Sequence, residues 1–134
     1  MVDIYNNYCH GESQVAKMIT IYIEEAHAVD MWYLPESPDA TTDAAIYSHR
    51  VIQDRMRAAN RFIQNKSFPI EMVLDTMNGD VVDCYDAWPE RLYIIVDGVV
   101  VYKGENGPFG YRLDEVKDWL AERYGMRGES IAFR

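Results

Sequence analysis

An α/β fold, a mixed sheet flanked by helices, is predicted for this chain by three observations. Apolar runs of strand length alternate with segments of helical period. Asp97-Gly98 joins two of those runs into a tight hairpin. The run Met18 to Ile23 (MITIYI) is almost continuously apolar and rich in β-branched residues, as in a strand covered on both faces. With 134 residues, 49% of them hydrophobic and 13% aromatic, the chain has the size and composition of one domain, residues 1–134, with a core of its own.

The elements follow in order. The segment YNNYCHGE, residues 5–12, reads as a helix end, and Met18 to Ile23 as the first strand. From Ala28 to Ser48 the composition changes, with Pro35, Ser37, Pro38, Asp39, Thr41 and Thr42 marking an irregular insertion over 28–48. From His49 to Gln64 the residues Ile52, Met56, Ala59 and Ile63 form one helical stripe, while Arg50, Gln53, Asp54, Arg57 and Gln64 face water. Pro69 opens the strand Ile70 to Asp75 at a position where its missing N–H is harmless. Leu92 to Val96 and Val99 to Lys103 flank Asp97-Gly98, so they pair antiparallel through a turn needing positive φ twice. Leu113 to Tyr124 carries Leu113, Val116, Leu120 and Tyr124 on one face, acids in its first turn and Gly125 as its stop. This order, helix end, β, insertion, α, β, β-hairpin, α, resembles the C-terminal part of a thioredoxin-like fold.

Charge excludes some partners. Twenty-two acidic against 13 basic residues give a net charge of −9, which repels nucleic acid and anionic lipid. No apolar run approaches the ~20 residues of a membrane helix. Residues 1–12 lack the basic start and apolar stretch of an export signal, so a cytoplasmic location is expected. The two cysteines, Cys9 and Cys84, are too few for a disulfide framework and are expected to be thiols. Cys9 adjoins His10, but neighbours on a helix do not face each other. Cys84 stands among Asp83 and Asp86, whose charge opposes a thiolate.

Several side chains have the chemistry of a site. Glu25 and His27 are two apart at a strand end, so they point to one side and form an acid/base pair, a strand-end ion pair or merely solvated side chains. Glu25, His27 and His49 are suitable metal ligands in type, but their spacing matches no closed ligand signature, and no metal or cofactor is expected. Arg91 begins an apolar strand, where its guanidinium either reaches an anion in a strand-end cleft or pairs with Glu90 or Asp75. Met31, Trp32, Tyr33 and Tyr47 of the insertion offer apolar aromatic surface, which either covers a flat aromatic small molecule or packs on the sheet edge to close the core. Gly107-Pro108-Phe109-Gly110 reads as a structural turn.

Three stretches go beyond topology: IYIEEAH at 21–27, DTM at 75–77 followed by PERLYII at 89–95, and VYKGENGPFGY at 101–111. Together with His49 and IQDRMRAA at 52–59, in this order and spacing, they resemble the iodothyronine deiodinase family from Ile21 to about Glu122. The resemblance implies a thioredoxin-like reductase that removes iodine from aromatic rings, using selenocysteine or cysteine as nucleophile and a thiol as reductant. It assigns Glu25 and His27 to the surroundings of the selenol and substrate, and His49 to substrate binding and proton delivery. Arg91 takes the place of the arginine beginning the hairpin strand, which in related peroxiredoxin-like folds stabilises the nucleophile's anion, and Trp32 and Tyr33 lie in the insertion beside the active site.

In the family the nucleophile ends a first strand that has no counterpart in residues 1–134, so this chain is expected to lack that strand and to be inactive as it stands. The strand edges left open are expected either to recruit another chain and give a homo-oligomer or to rearrange the sheet. Two other functions fit the same residues: a noncatalytic dimerising or aromatic-ligand-binding thioredoxin-like protein, and a peroxiredoxin-like thiol reductase acting through Cys9.

Overall fold

Parallel pairing requires a crossover, and the helix after the insertion supplies it. In the computed structural model, which describes residues 1–34 and 46–128, β1 (Ile19–Tyr22) pairs parallel with β2 (Glu71–Leu74), Ile19 opposite Glu71 and Tyr22 opposite Leu74. The chain begins with a helical turn, α1 (Val2–Ile4), that runs into a π-helical turn over Tyr5–Cys9. The crossover helix α2 spans Ile52–Lys66, and a short α3 (Asp80–Tyr85) follows β2. Then come β3 (Tyr93–Val96), β4 (Val99–Lys103) and α4 (Leu113–Tyr124).

The local signals hold. β3 and β4 pair antiparallel, with Asp97 at φ 50° and Gly98 at φ 79° in the turn. Helix α4 has the expected bounds, and the Gly125 N–H, at φ 83°, closes on the Ala121 carbonyl at 2.8 Å. Val116 and Leu120 of α4 pack against Ile4, Tyr8 and Cys9, with Leu92, Ile94, Tyr102 and Trp119 around them. The Tyr8 hydroxyl donates to the Gly125 carbonyl at 3.1 Å, tying the first turn of the chain to the end of α4. In the 107–110 loop the Gly107 N–H donates to the Glu90 carbonyl at 2.9 Å, and the Glu90 side chain occupies the space a Cβ on Gly107 would need.

Longer-range expectations change. Helix α2 begins at Ile52, so His49 lies in the lead-in before it. The Asp54 carboxylate caps that lead-in by accepting the Arg50 N–H at 2.9 Å and the Val51 N–H at 3.1 Å. The buried face of α2 is Arg55, Ala58 and Ala59, while Ile52 and Met56 of the expected stripe are exposed. The cause is the Arg55 guanidinium, which reaches the backbone at the end of β2 and turns that face inward. Helix α3 is an addition to the predicted order. It is six residues long and capped from a distance, by the Asp75 carboxylate on the Val81 and Val82 N–H groups at 2.9 and 3.2 Å.

The base of the insertion is closed by a Val29 N–H to Ile46 carbonyl bond at 2.9 Å. The Asp30 carboxylate also takes both the Ser48 N–H (2.7 Å) and its hydroxyl (2.9 Å). Pro35, Ser37, Pro38, Asp39, Thr41 and Thr42 lie outside the described residues. Among the described residues no helix is long and apolar enough to cross a membrane.

The strands do not form one mixed sheet. Among the described residues β1 pairs only with β2 and β3 only with β4, so β1 and β3 each keep a free edge. Ile19 and Ile21 of β1 are exposed instead of covered on both faces, because no neighbouring strand lies on that edge. Between the two pairs lies a cavity of about 790 Å³, lined on one side by residues 15–21 and on the other by residues 89–97, with Val81 and Tyr85 of α3 and Val116, Trp119 and Leu120 of α4 completing its wall. Consecutive residues line it, whereas a sheet face would contribute alternate ones. The cavity is therefore a slot running along two strand edges.

Candidate active site

Parallel strands present their carboxyl ends to one crevice, the usual place for ligands in open α/β sheets. Here β1 ends at Tyr22 and β2 at Leu74, and the Asp75 N–H continues the pairing by donating to the Tyr22 carbonyl at 2.9 Å. Tyr22, Glu25, His49 and Arg55 gather at that end. The Tyr22 hydroxyl donates to the Glu25 carboxylate, and burial, reinforced by Glu25, pushes its pKa well above the ordinary tyrosine value. The Tyr22 ring lies 6.2 Å from the His49 ring, centroid to centroid.

His49 is held by a residue of the next helix. Its Nδ1 accepts from Arg55 Nε at 3.3 Å, and the same guanidinium donates through Nη1 to the carbonyls of Asp75 (2.9 Å) and Thr76 (2.6 Å). Among the described residues His49 Nε2 is buried and has no hydrogen-bond partner. Burial lowers the His49 pKa below its ordinary 6.5, Arg55 adding to the shift while Glu25, Asp54 and Glu24 oppose it. The imidazole is accordingly neutral near pH 7.

A stability consequence follows. As pH falls through 6.5 the unfolded chain takes up a proton at His49 before the folded chain does, so folding stability declines until the lower folded value is passed. His49→Gln is expected to flatten the fall in melting temperature between about pH 7 and about pH 5. Thermal melts of both proteins across that interval check it; parallel curves would contradict it.

The expected Glu25–His27 pair does not form. Same-side alternation requires extended strand, and β1 stops at Tyr22, so the two side chains turn to different partners. Glu25 bonds Tyr22, whereas exposed His27 places Nδ1 3.1 Å from the Trp32 carbonyl and meets the Trp32 ring edge-on at 5.0 Å. Trp32 and Tyr33 are 61% and 41% exposed, so they present aromatic surface and do not close the core. Arg91 pairs with neither Glu90 nor Asp75. Its Nε donates to the Gly104 carbonyl at 2.7 Å, and its Nη1 to the Asp86 carbonyl and carboxylate at 2.9 and 2.7 Å. The Arg91 side chain, only 6% exposed, ties the end of α3 to the hairpin and also lines the slot.

Both cysteines are free thiols. Cys9 is buried, and burial pushes its thiol pKa up, against nucleophilic use; Cys84 is exposed on α3. Among the described residues no three His, Cys, Asp or Glu side chains are grouped to hold a metal ion.

Sequence reasoning passed over Tyr22, Arg55 and Asp75. Arg55 carries one readable signal: it falls at the i−3 and i−4 positions of two alanines, Ala58 and Ala59, on a face too small-sided to be an ordinary solvated one.

Comparison with known proteins gives a consistent picture. Residues 2–124 match the family described as iodothyronine deiodinase. Thyroxine 5-deiodinase of Bos taurus is 44% identical over 106 residues, 79% of this chain and 33% of that protein. Type I iodothyronine deiodinase of Xenopus laevis is 41% identical over 120 residues, 89% of this chain and 44% of that protein. Thyroxine 5-deiodinase of Aquarana catesbeiana is 43% identical over 114 residues, covering 84% and 39% respectively. The chain thus spans between a third and somewhat under half of the length of these relatives.

Proposed function

Because the chain belongs to the iodothyronine deiodinase family, we propose that it forms the acid and substrate side of a reductive deiodination site on a thioredoxin-like scaffold. The observation that carries this reading is His49: a neutral imidazole whose ring lies 6.2 Å from that of Tyr22, with a buried Nε2 that has no hydrogen-bond partner among the described residues. In the overall reaction a carbon–iodine bond of an iodinated phenol such as thyroxine breaks, the ring carbon gains a proton and iodide leaves. Two thiols are oxidised to a disulfide, supplying the electron pair. Replacing the carbon–iodine bond by a carbon–hydrogen bond needs a positioned proton donor, and His49 has the chemistry for it. Exposed Trp32 and Tyr33, with His27 against Trp32, offer the aromatic surface on which a flat ring can stack.

The nucleophile is the remaining part. Cys9 is buried with a raised pKa, which disfavours it, and the slot between β1 and β3 has two open edges, the shape that one further strand fills. In this reading the occupant is an extended segment ending in selenocysteine or cysteine, drawn from the part of the relatives' length that this chain does not span. Residues 1–134 alone are then inactive. The rival occupant, favoured by the same open edges, is a strand from a second copy, giving a noncatalytic dimer.

The test is thiol-dependent iodide release from thyroxine by residues 1–134 and by a form extended with a strand ending in cysteine. Release by the extended form alone is expected. Release by residues 1–134 that Cys9→Ser abolishes would replace this reading with a peroxiredoxin-like one. Release by neither form, with a concentration-dependent dimer on sedimentation, would favour the noncatalytic reading.

A further inference from the structure

The hydrogen bond between Arg55 and His49 carries more than anchorage. A guanidinium has five N–H donors and no acceptor, and it stays charged at any pH a protein tolerates. The Arg55 Nε–H directed at His49 Nδ1, at 3.3 Å, therefore requires a lone pair on Nδ1. A neutral imidazole with a lone pair on Nδ1 has its proton on Nε2, the buried nitrogen that lacks a partner among the described residues. The guanidinium is itself held: Arg55 is 3% exposed, and its Nη1 is shared between the carbonyls of Asp75 and Thr76. One planar group thus connects the end of β2, the buried face of α2 and the imidazole in the lead-in to α2.

We propose that Arg55 is a positioning residue that locks His49 in the Nε2–H tautomer, so that the donor hydrogen faces the unpartnered side of the ring. The tautomer stands independently of the function proposed above; its use for proton delivery rests on that reading. Lysine at position 55 is no substitute, because a single ammonium on a flexible stem does not reproduce a fork whose two nitrogens face a ring and a pair of carbonyls at once. A carboxylate at Nδ1, the arrangement common beside catalytic histidines, would select the opposite proton position. The surroundings agree: Glu25, Asp54 and Glu24 favour a charged ring, yet burial and Arg55 keep it below its ordinary pKa.

The experiment is nitrogen-15 NMR of the imidazole nitrogens in the 134-residue chain near neutral pH, for the unaltered protein, Arg55→Lys and Arg55→Met. In the unaltered protein, Nδ1 is expected at the unprotonated position and Nε2 at the protonated one. In both variants the two nitrogens should move toward an averaged mixture, and the His49 titration should shift to higher pH. A protonated Nδ1 in the unaltered protein overturns the proposal, and so does an unchanged tautomer in Arg55→Lys. If Arg55→Met does not fold, the unaltered protein and the lysine variant still decide. In the active, extended form Arg55→Lys should lower kcat at least about tenfold with KM nearly unchanged. Iodide release with a protonated Nδ1 overturns the Arg55 proposal alone; the Nε2–H tautomer without iodide release overturns only the functional reading.

Discussion

In the form that carries a nucleophile, His49→Gln is expected to lower the rate of thiol-dependent iodide release about 100-fold or more, the usual range for losing a positioned general acid. Burial keeps the ring below its ordinary pKa, so near pH 7 it carries one transferable proton. Nδ1 is occupied by Arg55, and Nε2 is without a partner among the described residues. Glutamine keeps an amide donor of similar reach but does not exchange a proton in this pH range, which separates hydrogen bonding from proton transfer. Cys84→Ser, a change on the exposed side of α3, serves as the control with unaltered turnover. A His49→Gln rate within twofold of the unaltered protein would remove His49 from the chemistry.

The largest stability effect is expected at Asp75. This carboxylate is 1% exposed and accepts three backbone N–H groups: Thr76 at 2.8 Å, Val81 at 2.9 Å and Val82 at 3.2 Å. It is the cap of α3, reached from four residues before the helix's N-cap Gly79, and it fastens that helix to the end of β2. Alanine at 75 leaves three donors without an acceptor, each worth about 1 kcal/mol or more, so a loss of about 3 kcal/mol is expected. Asparagine keeps one acceptor oxygen and should lose about half as much. Urea denaturation of Asp75→Ala and Asp75→Asn measures both. An alanine variant within about 1 kcal/mol of the unaltered protein would show that other groups satisfy those N–H donors.

What could be read from the sequence was what is decided locally. The hairpin follows from two residues, Asp97 and Gly98, whose positive φ values are required by the turn they make. Helix α4 follows from one stripe, two acids at its start and Gly125 at its end. The family signature was legible too, since it lies in contiguous stretches such as IYIEEAH and PERLYII.

Misreadings occur where a distant group decides. The stripe of Ile52, Met56, Ala59 and Ile63 leaves Arg55 out, whereas the carbonyls of Asp75 and Thr76, about twenty residues on, draw its guanidinium inward and Ile52 and Met56 stay exposed. The two-residue spacing of Glu25 and His27 is informative only while the chain stays extended, and it stops being so after Tyr22. Helix α3 depends on a cap supplied by Asp75, outside its own sequence. Arg91 finds Asp86 and the Gly104 carbonyl, one of which is brought near only by the hairpin.

In the proposed site, the slot between β1 and β3 takes one further strand, which brings a nucleophile to the Tyr22–Glu25–His49–Arg55 cluster. Amide hydrogen exchange along both edges, Ile19 to Ile23 and Tyr93 to Val96, tests it most directly when residues 1–134 are compared with the form extended by a strand. The slot-facing amides of both edges are expected to become protected together in the extended form, independently of protein concentration. Equal exchange in the two forms, or protection that grows with concentration of residues 1–134, would contradict it.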